Sequence, residues 1–249
     1  MSRTILLVGG TGRTGRRVLV QLLDRGVTVR AIVRSASRLP PGVSGHPRLR
    51  VVEAELLAMR PAELIEHQRD CDAVISCLGH VLSLKGVFGP PHDLVTGATR
   101  RLCRAITEAG PTAPVRFILM TSVSVNHPAG TDALRGPLEK GLLWALRGLV
   151  PPSRDNQRAA DFLFREVGAG NRAIDWVVVR PDSLIEGEVS AYAAHDQLVA
   201  SLFKPDSSTM ANVAHFMCDL ATDSAIWDRW VGRMPVIVDV PAAVGSKKN

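Results

Sequence analysis

The stretch LLVGGTGRTGRRVLVQLLDRG, residues 6–26, decides the fold of this chain. Apolar residues run up to Val8, a short segment carries Gly9, Gly10, Gly12 and Gly15, and an amphipathic pattern follows. Gly10, Gly12 and Gly15 fit G-x-G-x-x-G, and Gly9, Gly12 and Gly15 also fit G-x-x-G-x-x-G. A strand that enters a glycine turn and leaves as a helix aims the helix's first N–H groups, the positive end of its dipole, at the turn. The first glycine permits the tight turn, and the middle one lets backbone approach a pyrophosphate. Gly15 lets the helix pack closely on the strand. The segment is therefore expected to hold a dinucleotide through Gly9, Gly10, Thr11, Gly12, Arg13, Thr14 and Gly15.

The alternation continues outward from that unit. TILLVG (4–9), VTVRAIV (27–33), RLRVVEA (48–54), DAVISCLG (72–79), VRFILMTS (115–122) and DWVVVRP (175–181) predict strands. Between them RTGRRVLVQLLDRG (13–26), PAELIEHQRD (61–70), DLVTGATRRLCRAITEAG (93–110) and SRDNQRAADFLFREVGAG (153–170) predict helices. Short apolar strands alternating with longer helical patterns give an α/β fold: a Rossmann-type, doubly wound, mostly parallel sheet with helices on both faces. A helix over 210–223 and a strand over 234–240 add a small C-terminal region expected to close over a substrate. One NAD(P)-binding domain is expected over 1–241, with pocket-forming insertions at about 80–92, 123–152 and 182–205, and a flexible tail over 242–249.

The end of the second strand selects between dinucleotides. An NAD site calls for a carboxylate there, to bind the ribose hydroxyls. This chain has Arg34, with Arg38 one helical turn on. Guanidinium groups attract a 2′-phosphate and bind it in bidentate fashion, and Arg13 is placed to reach the same phosphate. NADP(H) is the expected cofactor.

Bulk composition removes other classes. No segment approaches the ~20 apolar residues of a membrane span, and the N-terminus lacks the pattern of a signal peptide, so a cytoplasmic protein is expected. Cys71, Cys77, Cys103 and Cys218 lack C-x-x-C spacing, which predicts buried free thiols. The histidines, His46, His67, His80, His92, His127, His195 and His215, show no ligand spacing, and no metal is expected. The net charge of +6 is scattered and aromatics are only 4%, so a basic stripe interleaved with stacking rings is missing. The expected partner is a small-molecule substrate, not nucleic acid or membrane, and the expected state is a monomer or homodimer.

VGGTGRTG (8–15), RAIVRSASRL (30–39), DAVISCLG (72–79), FILMTSVSV (117–125), DWVVVRPDSL (175–184) and NVAHFMCDL (212–220) together resemble the atypical short-chain dehydrogenase/reductase group. That group includes the nitrogen-metabolite-repressor-like proteins and the biliverdin-IXβ and flavin reductases. The resemblance implies that Cys77, Leu78 and Gly79 line the adenine-to-ribose part of the cofactor, with Glu55 and Leu56 beside the adenine. It implies that Thr121 and Ser122 meet the nicotinamide half, and that Arg180, Pro181 and Asp182 end their strand near the carboxamide.

One departure bears on mechanism. Most dehydrogenases of this superfamily use Tyr-x-x-x-Lys, the lysine lowering the pKa of the proton-transferring phenol. The sole tyrosine is Tyr192, four residues before Asp196, and the lysines are Lys85, Lys140, Lys204, Lys247 and Lys248. No such pair exists. The helix that should carry it reads SRDNQRAADFL (153–163), with Ser153 and Gln157, or Arg154 and Arg158, in the vacated places. Epimerase and dehydratase chemistry is disfavoured. Hydride transfer to an acceptor that takes its proton from water or a weak acid is not. Ser122 or Ser124 could orient a substrate oxygen, His127 has a pKa range suited to proton donation, and Asp155 or Arg158 could assist. Alternatively, Asp155 and Asn156 cap their helix, and His127 is a turn residue. GLLWALRGLV (141–150) reads as a core-packed helix, or as the wall of an apolar pocket or a dimer face. The expected function is an NADPH-dependent reductase of a small apolar or aromatic acceptor. The alternative is a non-catalytic NADP(H)-binding redox sensor or regulatory or assembly protein.

Overall fold

The computed structural model of the chain describes residues 3–80, 89, 91–132 and 134–240, and for 146–149 the backbone only. Strands β1 (Thr4–Val8), β2 (Thr28–Val33), β3 (Leu49–Glu53), β4 (Ala73–Ser76), β5 (Val115–Met120) and β6 (Ile174–Pro181) run parallel. Two more strands, β10 (Val236–Asp239) and β8 (Tyr192–His195), extend the sheet beyond β6, with β8 antiparallel to β10. The order is β3-β2-β1-β4-β5-β6-β10-β8. The chain winds outward from β1 in both directions, so the reversal falls between β1 and β4, where Val8 pairs with Ser76. In such sheets the ligand crevice opens at the carboxyl ends of those two strands.

Side chains alternate across the sheet because strand periodicity is two. Ile5 and Leu7 pack on one face with Val18, Leu19 and Leu22 of α1 (Gly15–Asp24) and with α6 (Met210–Thr222). Leu6 and Val8 pack on the other with Leu64 of α2 (Pro61–Gln68), Val95, Ala98 and Leu102 of α3 (Leu94–Ala109), and Ala159 and Ala160 of α5 (Pro151–Phe162). Each buried leucine or isoleucine contributes roughly 1.5–3 kcal/mol of transfer free energy, which is why the apolar β1 run suits a strand covered on both sides.

The expected strands and helices form, with three differences. The helix expected over 153–170 begins at Pro151, where proline suits the first turn. It ends as an α-helix at Phe162 and widens into a π turn over Leu163–Val167, stopped at Gly168 with φ +72°. The insertion over 123–152 contains a full helix, α4 (Pro137–Leu149). Beyond β6 the chain adds β7 (Ser183–Ile185) and β9 (Ser207–Thr209), a separate two-stranded parallel ribbon, and then α7 (Ser224–Trp230). The tail over 242–249 and most of the insertion at 80–92 lie outside the described residues. No described helix is long and apolar enough to cross a membrane.

The loop after β5 is tied down by a buried ion pair. Arg180, fully buried on β6, donates from Nη1 to both carboxylate oxygens of Asp132 at 3.0 Å, and from Nε to the Met234 carbonyl at 2.8 Å. Asp132 Oδ2 also accepts the His127 N–H at 2.6 Å.

Candidate functional site: a dinucleotide crevice

The glycine turn is the tightest point of the crevice. Gly9 has φ +79°, and a Cβ on it would lie 2.6 Å from the Cys77 carbonyl carbon and oxygen. A Cβ on Gly15 would lie 2.1 Å from the Gly9 carbonyl oxygen. The end of β1, the end of β4 and the start of α1 therefore meet backbone to backbone, and only glycine fits at either position. The turn closes through the Gly12 N–H, which donates to the Gly9 carbonyl at 3.0 Å. No described residue accepts a hydrogen bond from the backbone N–H groups of Arg13, Thr14 or Gly15. Free N–H groups at the positive end of a helix match the oxygens of a pyrophosphate, so the turn fits the group its sequence implied.

The cavity that the sequence assigns to the adenosine end lies beside it. It measures about 170 Å³ and is lined by Gly9, Thr11 and Gly12, by Arg34 and Arg38 beyond β2, by Glu55 and Leu56 beyond β3, and by Cys77, Leu78 and Gly79 beyond β4. Burial pushes the Cys77 thiol well above its ordinary range, so it is an inert wall, not a nucleophile. Arg34 and Arg38 are exposed and make no ion pair with any described residue. The turn that carries them, Ala36–Arg38, is held by Glu53, whose Oε2 accepts the Ala36 N–H at 2.8 Å. A larger cavity of about 520 Å³ lies at the opposite end of the sheet, among Arg3, Asp72 and Arg116. It has no glycine turn and faces the amino ends of the strands, away from the switch-point crevice.

Arg13 lies elsewhere than the sequence suggested. It pairs with Glu186 at 3.3 Å, and Arg17 pairs with the other oxygen of the same carboxylate. Arg13 thus faces the segment that follows β7, and it is absent from the walls of the cavity that holds Arg34 and Arg38.

At the carboxyl end of β5, the Thr121 N–H donates to the Val179 carbonyl at 2.8 Å and its hydroxyl to the same oxygen at 3.3 Å. The Ser122 and Ser124 hydroxyls lie 2.7 Å apart. His127 stacks edge-on to Phe164, and its Nδ1 accepts the Ala129 N–H at 3.2 Å. Burial, and then the Arg180 guanidinium, hold its pKa below the ordinary histidine value. Arg180 bonds to Asp132 and protein carbonyls, and Pro181 gives its carbonyl to the Val123 N–H at 3.0 Å. Asp182 accepts the N–H groups of Ser183 and Asp206, and burial raises its pKa.

Asp155 is the most committed of the acidic groups. Its buried carboxylate accepts the Val95 N–H at 2.7 Å and the Thr96 N–H at 2.9 Å, and lies 2.9 Å from His80 Nε2. It therefore caps α3 from a neighbouring helix and ties that helix to the end of β4. Gln157, two residues on, clamps Asn126 through both the N–H and the carbonyl of that residue. Arg154 and Arg158 are exposed. The sole tyrosine belongs to another cluster: Tyr192 OH donates to Asp219 at 3.2 Å and lies 2.9 Å from His215 Nδ1, fastening β8 to α6. Burial and then Asp219 raise its pKa further, away from what proton transfer near neutrality needs.

A model of NAD(P)H-binding proteins matches residues 9–224. The chain belongs to the NAD(P)H-binding family. The match spans the glycine turn, the switch point and α6. Among individual proteins, an uncharacterized chloroplastic protein of Arabidopsis thaliana is 26% identical over 232 residues, covering 83% of this chain and 74% of that one. The oxidoreductase ylbE of Lactococcus lactis has a similar structure, with TM-score 0.68 and 20% identity over 95% of this chain and 91% of its own. A short-chain dehydrogenase/reductase of Veillonella parvula gives TM-score 0.67 and 13% identity over 97% and 96%. Membership agrees with the resemblance to the atypical short-chain dehydrogenase/reductase group, and the family's nicotinamide cofactor suits the turn geometry.

Glu53, Asp132 and Glu186 escaped the sequence reading. Each acts on a partner distant in sequence or on a backbone N–H, and no local pattern marks such a residue.

Proposed function

We propose that the protein is an NADPH-dependent reductase that passes hydride to a small, largely apolar or aromatic acceptor. The observation that carries the choice of NADPH is the pair Arg34 and Arg38, two exposed guanidinium groups on the wall of the adenosine cavity that make no ion pair with any described residue. They would bind the 2′-phosphate, while the N–H groups of Arg13, Thr14 and Gly15 hold the pyrophosphate. When bound, the nicotinamide supplies the hydride. Ser122 and Ser124 offer hydroxyls to orient the acceptor's oxygen. His127 has its pKa lowered by burial and by Arg180 and gives its Nδ1 to the Ala129 N–H, Asp155 caps α3 and Tyr192 belongs to β8 and α6, so none of these three is arranged as the acid. The acceptor then takes its proton from water, which suits flavins, quinones and enones and leaves simple ketones the poorest substrates. The names of the Lactococcus and Veillonella structures support hydride chemistry for the fold. Four buried free cysteines suit a reducing, cytoplasmic setting.

One observation favours a second reading. Gln157 stands in a vacated Tyr-x-x-x-Lys position and holds the loop after β5. A protein with no acid in place could bind NADP(H) only to sense it, as a redox sensor or regulatory or assembly protein. NADPH oxidation, followed at the nicotinamide absorbance against flavins, quinones, enones and ketones, separates the two: tight binding without turnover refutes the reductase. For the cofactor, Arg34→Asp removes charge-assisted hydrogen bonds of about 1.5–3 kcal/mol. It should weaken NADPH by roughly 10–100-fold and leave NADH nearly unchanged. Equal losses for both would remove Arg34 from the 2′-phosphate site.

A further inference from the structure

We propose that α4 and the loop at 198–204 form a docking face for an anionic lipid surface, on which the protein lies without spanning it. The inference is independent of the acceptor. Leu143 anchors the inner side of α4 and is fully buried. The buried Glu139 carboxylate accepts the Leu202 N–H at 2.7 Å, so the loop is held against the helix with Leu138 and Phe203 on the positions next to that bond. On the outer side Leu138 is 79% exposed, Leu142 41%, Trp144 80% and Phe203 65%. Leu138 and Leu142 stand four residues apart, on one helix face.

A helix that is apolar on both sides is ordinarily buried on both. Among the described side chains, this one is packed at Glu139 and Leu143 and exposed at Leu138, Leu142 and Trp144. Exposed leucines and a tryptophan with cations at their margin are the pattern of a helix lying in a membrane interface, where the indole ring sits at headgroup depth. Lys140 and Lys204, both exposed, are the cations: Lys140 stands four residues before Trp144 on the helix, Lys204 follows Phe203, and stems of that length let the ammonium groups reach lipid phosphates. Charge selects the occupant. A second copy carries the same net charge of +6 and is repelled by the first, whereas an anionic bilayer neutralises the two lysines and attracts the chain. The sequence predicts no membrane partner, because no segment approaches the length of a membrane span, and it offers this helix as core-packed, as the wall of an apolar pocket or as a dimer face.

The test uses the full chain and its own fluorophore. Trp176, Trp227 and Trp230 are 2%, 4% and 3% exposed, so a change in tryptophan emission on docking reports Trp144. Vesicles of phosphatidylcholine mixed with phosphatidylglycerol should sediment the protein and shift its emission to the blue, while phosphatidylcholine alone should bind it less. Added salt should weaken the binding. Leu138→Asp, an exposed position that leaves the core intact, should lower vesicle binding by roughly tenfold or more. Absence of sedimentation with the mixed vesicles overturns the proposal, as does equal binding by Leu138→Asp. A blue shift without vesicles that grows with protein concentration, together with a heavier species in sedimentation, would assign the face to a second copy instead.

Discussion

Asp155→Ala should destabilise the protein by about 3–5 kcal/mol, the range for breaking a buried charged contact. The carboxylate is 2% exposed and receives two backbone N–H groups, from Val95 at 2.7 Å and Thr96 at 2.9 Å. Those donors belong to the first turn of α3, whose own leading residue Asp93 makes no side-chain cap bond. Losing a helix cap costs about 1–2 kcal/mol, and each buried donor left without an acceptor about 1–3 kcal/mol. These contributions overlap and do not simply add. The 2.9 Å contact between Asp155 and His80 is lost as well. A urea titration followed by far-UV circular dichroism should show the midpoint falling by about 1 M or more, given slopes of about 1–3 kcal/mol/M for small proteins and more for larger ones. Asp155→Asn keeps one acceptor oxygen and should recover part of the loss. A loss below about 1 kcal/mol with a native spectrum would refute the reasoning: water would then serve Val95 and Thr96 equally well, and Asp155 would be free for chemistry.

Gly15→Ala places a Cβ 2.1 Å from the Gly9 oxygen and 3.2 Å from the Cys77 Cβ, and neither neighbour is a flexible side-chain end. The start of α1 must move off β1, costing about 1–3 kcal/mol as overpacking does and spoiling the phosphate-binding N–H groups. A calorimetric titration showing unchanged NADPH affinity would contradict this. His127 has its pKa held below the ordinary value, so the unfolded chain binds its proton more readily than the folded one. Its contribution to stability is present above the unfolded value of pH ~6.5 and is lost as pH falls from there through the lower folded value. His127→Gln should therefore narrow the drop in urea midpoint between about pH 7.5 and about pH 5.5; identical drops in both proteins would exclude His127 as a source.

The architecture was legible because its signals are local. Alternating apolar residues such as Ile5 and Leu7 against Leu6 and Val8 fill both faces of the sheet, and a G-x-G-x-x-G between strand and helix has few other uses. The convergence of Arg34, Leu56 and Leu78 on one cavity was legible for the same reason: each follows a strand end, and strand ends converge in a doubly wound sheet. The nicotinamide side was not. Arg13 and His127 have chemistry that suits a site, yet Glu186 engages the first, while burial and Arg180 lower the pKa of the second. Type and position could not foretell those partners, which lie 173 residues from Arg13 and 53 residues from His127 in the sequence.

The helix Pro137–Leu149 shows the same division. Its composition, PLEKGLLWALRGL, establishes a helix with more apolar residues than one buried face needs. Which of them meet solvent depends on how Glu139 and Leu143 dock the helix, and docking is a property of the whole packed chain. Periodicity and turn chemistry act within a few residues, so they set the sheet, the glycine turn and the dinucleotide. Burial, capping across elements and ion pairing act between segments far apart in sequence, so only tertiary structure decides that Asp155 is a cap, Tyr192 a strut and Trp144 exposed.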